Sequence, residues 1–149
     1  MQALRVLLMM VSLLPLRGAR DYAFRWQLAE AIVEAAPGDE QAQDTLALIA
    51  RYESGFARDV ARCERRGDRG KSRGVFQLQP IERGDERAAC GDLPAQARLA
   101  KTYIERSALA CPGNVGADKL AMFTSGTCAK GIPQAIRRWA QPRYEFPPM

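Results

Sequence analysis

The chain has 149 residues, 22 of them basic and 17 acidic, for a formal charge of +5. That length carries one real hydrophobic core, and a hydrophobic content of 47% excludes a disordered chain. Histidine is absent, which excludes Ser-His-Asp and Cys-His triads, histidine metal ligation and a histidine base.

The chemistry left must rest on carboxylates, hydroxyls or lysine. The basic residues are mostly arginine and are scattered rather than blocked. Such a surface suits anionic partners, an acidic cell-wall polymer or anionic lipid among them, without a patch that singles out nucleic acid.

Residues 1 to 20 open with Arg5, run apolar from Val6 to Leu16, and return to Arg17 and Arg20. The run is too short to span a membrane and has the length of a signal-peptide core. Its cleavage site is imperfect, with Leu16 and Gly18 as the best −3 and −1 pair. The preferred reading is a secretory leader; an uncleaved N-terminal anchor, the one route to a membrane, and a buried core helix are the alternatives.

All four cysteines, Cys63, Cys90, Cys111 and Cys128, lie beyond that segment. An even count in a small exported chain implies two disulfides. Of the three connectivities, Cys63–Cys90 with Cys111–Cys128 ties each short irregular segment to a neighbouring helix. No Cys-x-x-Cys pair supports a zinc site, and no metal or organic cofactor is implied.

From Tyr22 to Ala36, Phe24, Leu28, Ala31, Ile32 and Ala35 keep helical spacing, and Pro37-Gly38-Asp39 ends the segment. A second helix starts near Glu40. In it Leu46, Ile49, Ala50 and Glu53 recur at the spacing of one helix face. Glu53 therefore shares a side with core residues just before the break at Gly55. Partial desolvation there raises a carboxyl pKa, as a general acid requires; the plainer alternative is a solvated glutamate at a helix end.

The chain turns polar and glycine-rich from Arg58 to Arg73, which reads as a loop or small β-hairpin, and Gly74 to Pro80 is short, apolar and β-prone. Helical spacing resumes from Pro94 to Cys111, with Ala97, Ala100, Tyr103, Ile104 and Ala108 near one face, and Pro112-Gly113-Asn114 stops it. A short helix over Ala117 to Phe123 leads into Thr124 to Cys128. A last helix covers Ile132 to Ala140, before a tail broken by Pro142, Pro147 and Pro148. The expected fold class is α+β, predominantly α-helical, with a small β insert, and residues 21 to 149 form a single domain.

Three segments then fall in order: Glu53-Ser54-Gly55-Phe56, Gly74-Val75-Phe76-Gln77 and Ala121-Met122-Phe123-Thr124-Ser125-Gly126. Together they resemble the lysozyme-like superfamily, in particular the soluble lytic transglycosylases and goose-type lysozymes, over about residues 40 to 140. The resemblance implies a lysozyme-like fold with the β-hairpin beside the cleft and cleavage of peptidoglycan glycan strands. It makes Glu53 the proton donor, has Ser54 help hold the end of its helix, and puts Gln77 on the sugar. Without it, Gln77 reads as a polar residue satisfying backbone.

In vertebrate-type lysozymes an Asp lies two residues before the glycine of the second segment; here that position is Ser72, which the resemblance places with Ser54, Gln77, Phe123, Thr124 and Ser125 among the substrate-binding residues. Glu64 and Asp68 lie in the same loop, though nothing in the spacing requires either to reach the cleft. A missing second carboxylate fits a single-acid transglycosylase in which the substrate's N-acetyl group serves as nucleophile. Phe123 and Thr124 stand where the family has Tyr and Asn. Phe123 cannot offer a hydroxyl to Glu53, which leaves Thr124 or Ser125 to do so. A hydrolytic muramidase and a wall-binding module without catalysis are the alternatives. A periplasmic or secreted location is expected, with peptidoglycan as partner and a wall-spanning machine as a further one.

Overall fold

The computed structural model describes residues 1–114 and 116–130. It divides into two compact units, Met1–Lys101 and Thr102–Met149, and is predominantly helical. The helix expected over 132–140 and the proline-rich tail lie outside the described residues.

The first unit is built on α1 (Gln2–Leu13), α2 (Ala19–Ala35) and α3 (Glu40–Ser54), with α1 packed on both of the others. The expected apolar face of α2 is buried, with Leu28 and Ile32 fully so. α3 is the central helix. Its Asp39 N-cap accepts the Ala42 N–H at 3.0 Å, and every residue from Thr45 to Ala50 is buried. A helix apolar on all sides is stable only when surrounded.

The segment read as a leader is part of that surround. Val6, Leu7, Met9 and Met10 of α1 are buried. Arg5 pairs with Asp44 of α3 at 2.6 Å and donates to Gln43 Oε1 at 2.8 Å. At the other end, Arg25 of α2, 1% exposed, donates to the carbonyls of Met10, Leu14 and Pro15, while Arg51 reaches Leu13 O at 3.4 Å. Two arginines thus bond carbonyls at and just beyond the C-terminus of α1, where positive charge is favoured. Asp21 balances Arg25 at 2.8 Å. In the full chain, therefore, residues 2–13 are a helix packed on α2 and α3.

After α3 come α4 (Arg58–Ala61), a 3-10 turn at Asp68–Gly70, α5 (Asp85–Ala89) and α6 (Leu93–Ala110). The expected β-hairpin is not shown. Among the described residues there are two isolated antiparallel bridges, Gly67 with Ser72 and Arg73 with Leu78. Asp68, Arg69, Gly70, Gly74 and Gln77 all have positive φ, and turns that tight end each ladder after one pair. The disulfide Cys63–Cys90 closes this region.

In the second unit Cys111 and Cys128 are bonded, so both expected pairings are present. A 3-10 turn (Gly116–Leu120) leads into α7 (Ala121–Ser125). Ser107 orders this corner: its hydroxyl donates to Lys119 O at 2.8 Å and accepts the Phe123 N–H at 3.0 Å. Two disulfides indicate an oxidising, extracellular-type compartment. Among the described residues no helix is long and apolar enough to cross a membrane.

Candidate active site

Glu53 sits in the last turn of α3, where Gly55 (φ 59°) caps the helix and its N–H donates to Arg51 O at 3.0 Å. A residue with a Cβ is strained at such a φ, so glycine marks the stop. Leu46, Ile49 and Ala50, one to two turns earlier on the same face, are fully buried. Glu53 itself is half-buried. Burial first, and the negative charge of Asp68 second, push its carboxyl up to about 7. Both act in one direction, since each disfavours the ionised form.

Ser54 turns away from the site, its hydroxyl donating to Ala50 O at 2.8 Å. This bond closes the last helical turn. Phe56 is 2% exposed and lies under the Arg25 guanidinium at 4.7 Å. The chain leaving the Glu53 turn is thereby pinned to the same arginine that holds the end of α1.

The second carboxylate comes from the polar loop. Asp68 and Arg69 both adopt left-handed backbone (φ 48° and 58°), which is uncommon outside glycine and is tolerated best by Asn and Asp. The Asp68 Oδ2 accepts the Ser72 hydroxyl at 2.5 Å and the Gln79 amide at 3.2 Å. Ser72, expected to line the substrate site, is 3% exposed and is spent on holding Asp68.

Gln77 also bonds locally. Its φ is 48°, its N–H and its Nε2 both donate to Gly74 O, at 3.0 and 2.9 Å, and it remains part-exposed. This is the backbone-satisfying alternative. A Cβ on Gly67 would stand 2.3 Å from Gln77 Oε1, so the absence of a side chain at Gly67 sets where the Gln77 amide rests.

Beneath this turn Val75, Phe76 and Leu78 are buried, and Gln96 fixes them. Its Oε1 accepts the Val75 N–H at 2.8 Å, and its Nε2 donates to Ala61 O and Gly91 O, each at 2.8 Å. Gly74 permits the approach, because a Cβ there would meet Ala89 O at 2.3 Å and Gln96 Oε1 at 2.6 Å. Neither Gln96 nor Arg25 had a signal in the sequence: a lone glutamine or arginine on a helix reads as surface.

Phe123, Thr124 and Ser125 lie on α7 in the second unit, where Phe123 is tied through its backbone to Ser107. The first unit by itself places Glu53, Asp68, Ser72 and Gln77 around the end of α3 and the following loops, with Ser54 bonded back into the helix. Among the described residues no group of His, Cys, Asp and Glu suits a metal ion.

A protonated carboxyl at neutral pH beside an ionisable partner can deliver a proton to a leaving oxygen and stabilise positive charge next to it. No known protein family, curated protein or solved structure matches this chain.

Proposed function

We propose that this protein has a lysozyme-like fold and cleaves the glycan strands of peptidoglycan, in the periplasm or outside the cell, as a lytic transglycosylase acting between N-acetylmuramic acid and N-acetylglucosamine. The observation that carries the reading is Glu53: a half-buried carboxyl held near pKa 7 at the end of a buried helix.

Glycosidic cleavage needs a proton on the leaving oxygen and stabilisation of an oxocarbenium-like sugar. Glu53 supplies the proton. The carbonyl oxygen of the substrate's own N-acetyl group closes on C1 as the bond from C1 to the protonated leaving oxygen breaks. The Glu53 carboxylate then takes the proton of the C6 hydroxyl, whose oxygen attacks C1, displaces the acetamido oxygen and forms a 1,6-anhydro ring. Positive net charge favours residence on an anionic wall.

Asp68 favours a second reading, hydrolysis. Its charge is felt at Glu53, and an ionised carboxylate near the sugar stabilises the cation or orients a water. The test is digestion of purified peptidoglycan by the full chain beside Glu53→Gln, with products identified by mass spectrometry. Anhydro-muramic ends are expected, and none from Glu53→Gln. Reducing ends would move the assignment to hydrolysis with Asp68 as second carboxylate. Turnover retained by Glu53→Gln would overturn both, and binding to the wall without products would make the protein a wall-binding module.

A further inference from the structure

α1 is apolar on two faces, and the fold covers one. Val6, Leu7, Met9 and Met10 are buried against the unit, whereas Leu4 and Leu8 are 44% and 60% exposed and continue a row that begins at Met1. Leu16, 39% exposed, follows the helix. An apolar helix face left open in a charged protein marks a docking surface.

Charge around that row says what docks. Residues 1 to 20 contain Arg5, Arg17 and Arg20 and no acid. At the N-terminal end Arg5 is neutralised by Asp44 and Glu40. Arg17 and Arg20, by contrast, are exposed and follow α1 within seven residues of its end. Arg51 lies close by, its guanidinium lowered from its ordinary value by burial and then by the charges of Arg17 and Arg25. Asp21, the first acid, is taken by the Arg25 guanidinium and the Arg17 backbone N–H.

From this juxtaposition we infer that α1 lies in the interface of an anionic phospholipid membrane, with Leu4 and Leu8 in the acyl boundary and Arg17 and Arg20 on lipid phosphates. Twelve residues make a helix about 18 Å long, too short to cross a bilayer and suited to lying in its plane. The inference is independent of the catalytic reading, because it uses a different face and requires no turnover.

The full chain is sedimented with vesicles of phosphatidylcholine alone and of phosphatidylcholine with phosphatidylglycerol, at low and high salt. Binding is expected on the anionic vesicles only, weakening as salt rises. Leu4→Glu with Leu8→Glu and, separately, Arg17→Gln with Arg20→Gln should each reduce partitioning by roughly tenfold or more. Circular dichroism and the melting temperature should stay at wild-type values, since these side chains face outward. Wild-type protein that is folded yet ignores anionic vesicles would overturn the inference, as would variants that bind like wild type. A lipid-free dimer broken by the leucine pair would assign the face to a second copy instead.

Discussion

The Ser72 hydroxyl donates to the Asp68 Oδ2 at 2.5 Å, within the range of charge-assisted hydrogen bonds. Ser72 therefore orients a carboxylate that comes from four residues upstream. The left-handed backbone at Asp68 and Arg69 makes this reach possible.

Activity should follow the ionisation of Glu53. The proton donor is the neutral form, so turnover is high below about pH 7 and falls as pH rises through that value. Stability has the same sign. A carboxyl raised in the folded state binds its proton more tightly there than in the unfolded chain, so stability is lost between the unfolded value near 4.5 and the folded value near 7. Glu53→Gln should remove that slope and melt above wild type at pH 8, by on the order of 2 kcal/mol. Equal melting curves at pH 8 would show that the carboxyl is not desolvated.

Replacing Asp68 by Asn removes a negative charge while keeping an acceptor for Ser72. The alkaline limb of the rate profile should move to lower pH, because one cause of the raised Glu53 value is gone and the larger one, burial, remains. A transglycosylase should keep most of its rate at pH 5. A loss of about a hundredfold there would instead mark Asp68 as a catalytic carboxylate. An unmoved limb with an unchanged rate would leave the two carboxylates uncoupled.

Gln96→Ala should be costly out of proportion to its size. The substitution leaves the Val75 N–H and the carbonyls of Ala61 and Gly91 without their partner, a loss of about 2–4 kcal/mol read by denaturant unfolding. Gly74→Ala should cost a similar amount, since its Cβ would run into the Ala89 carbonyl at a φ of 77°. If Gln96→Ala unfolds within 0.5 kcal/mol of wild type, to take a round threshold, the three bonds do not hold this floor together.

The N-terminal segment should not be dispensable. A chain beginning at residue 21 lacks the carbonyls that Arg25 satisfies and uncovers the sides of α2 and α3 on which α1 packs. It should fail to fold cooperatively. Arg25→Met in the full chain should lose about 3–5 kcal/mol, leaving Asp21 without its counter-charge and the carbonyls of Leu14 and Pro15 without the guanidinium. A truncated protein that melts within a few degrees of the full chain would return residues 1 to 20 to the status of a leader.

Sequence alone determined the helices whose periodicity repeats over several turns. The faces of α2, α3 and α6 could be read from Phe24 to Ala35, Leu46 to Glu53 and Ala97 to Ile104, because side chains three or four apart must share a surface wherever the helix goes. It also marked Glu53, since an acid in register with Leu46 and Ile49 just before Gly55 has one place to point. The disulfide pairs followed from which short segments lay beside helices.

Tertiary structure decided the rest, and each case depended on neighbours distant in the chain. The apolar run of residues 6 to 16 reads first as a leader by composition, and nothing in that run shows that in the full chain its helix bonds to Asp44, Gln43 and Arg25, 11 to 39 positions away. The expected hairpin became two single bridges because positive φ at Asp68, Gly74 and Gln77 outweighs β propensity in so short a stretch. Ser72 and Gln77 were read as reaching toward substrate and instead bond to Asp68 and Gly74. A short polar side chain takes the partner its backbone presents, and no one-dimensional pattern records which partner that is.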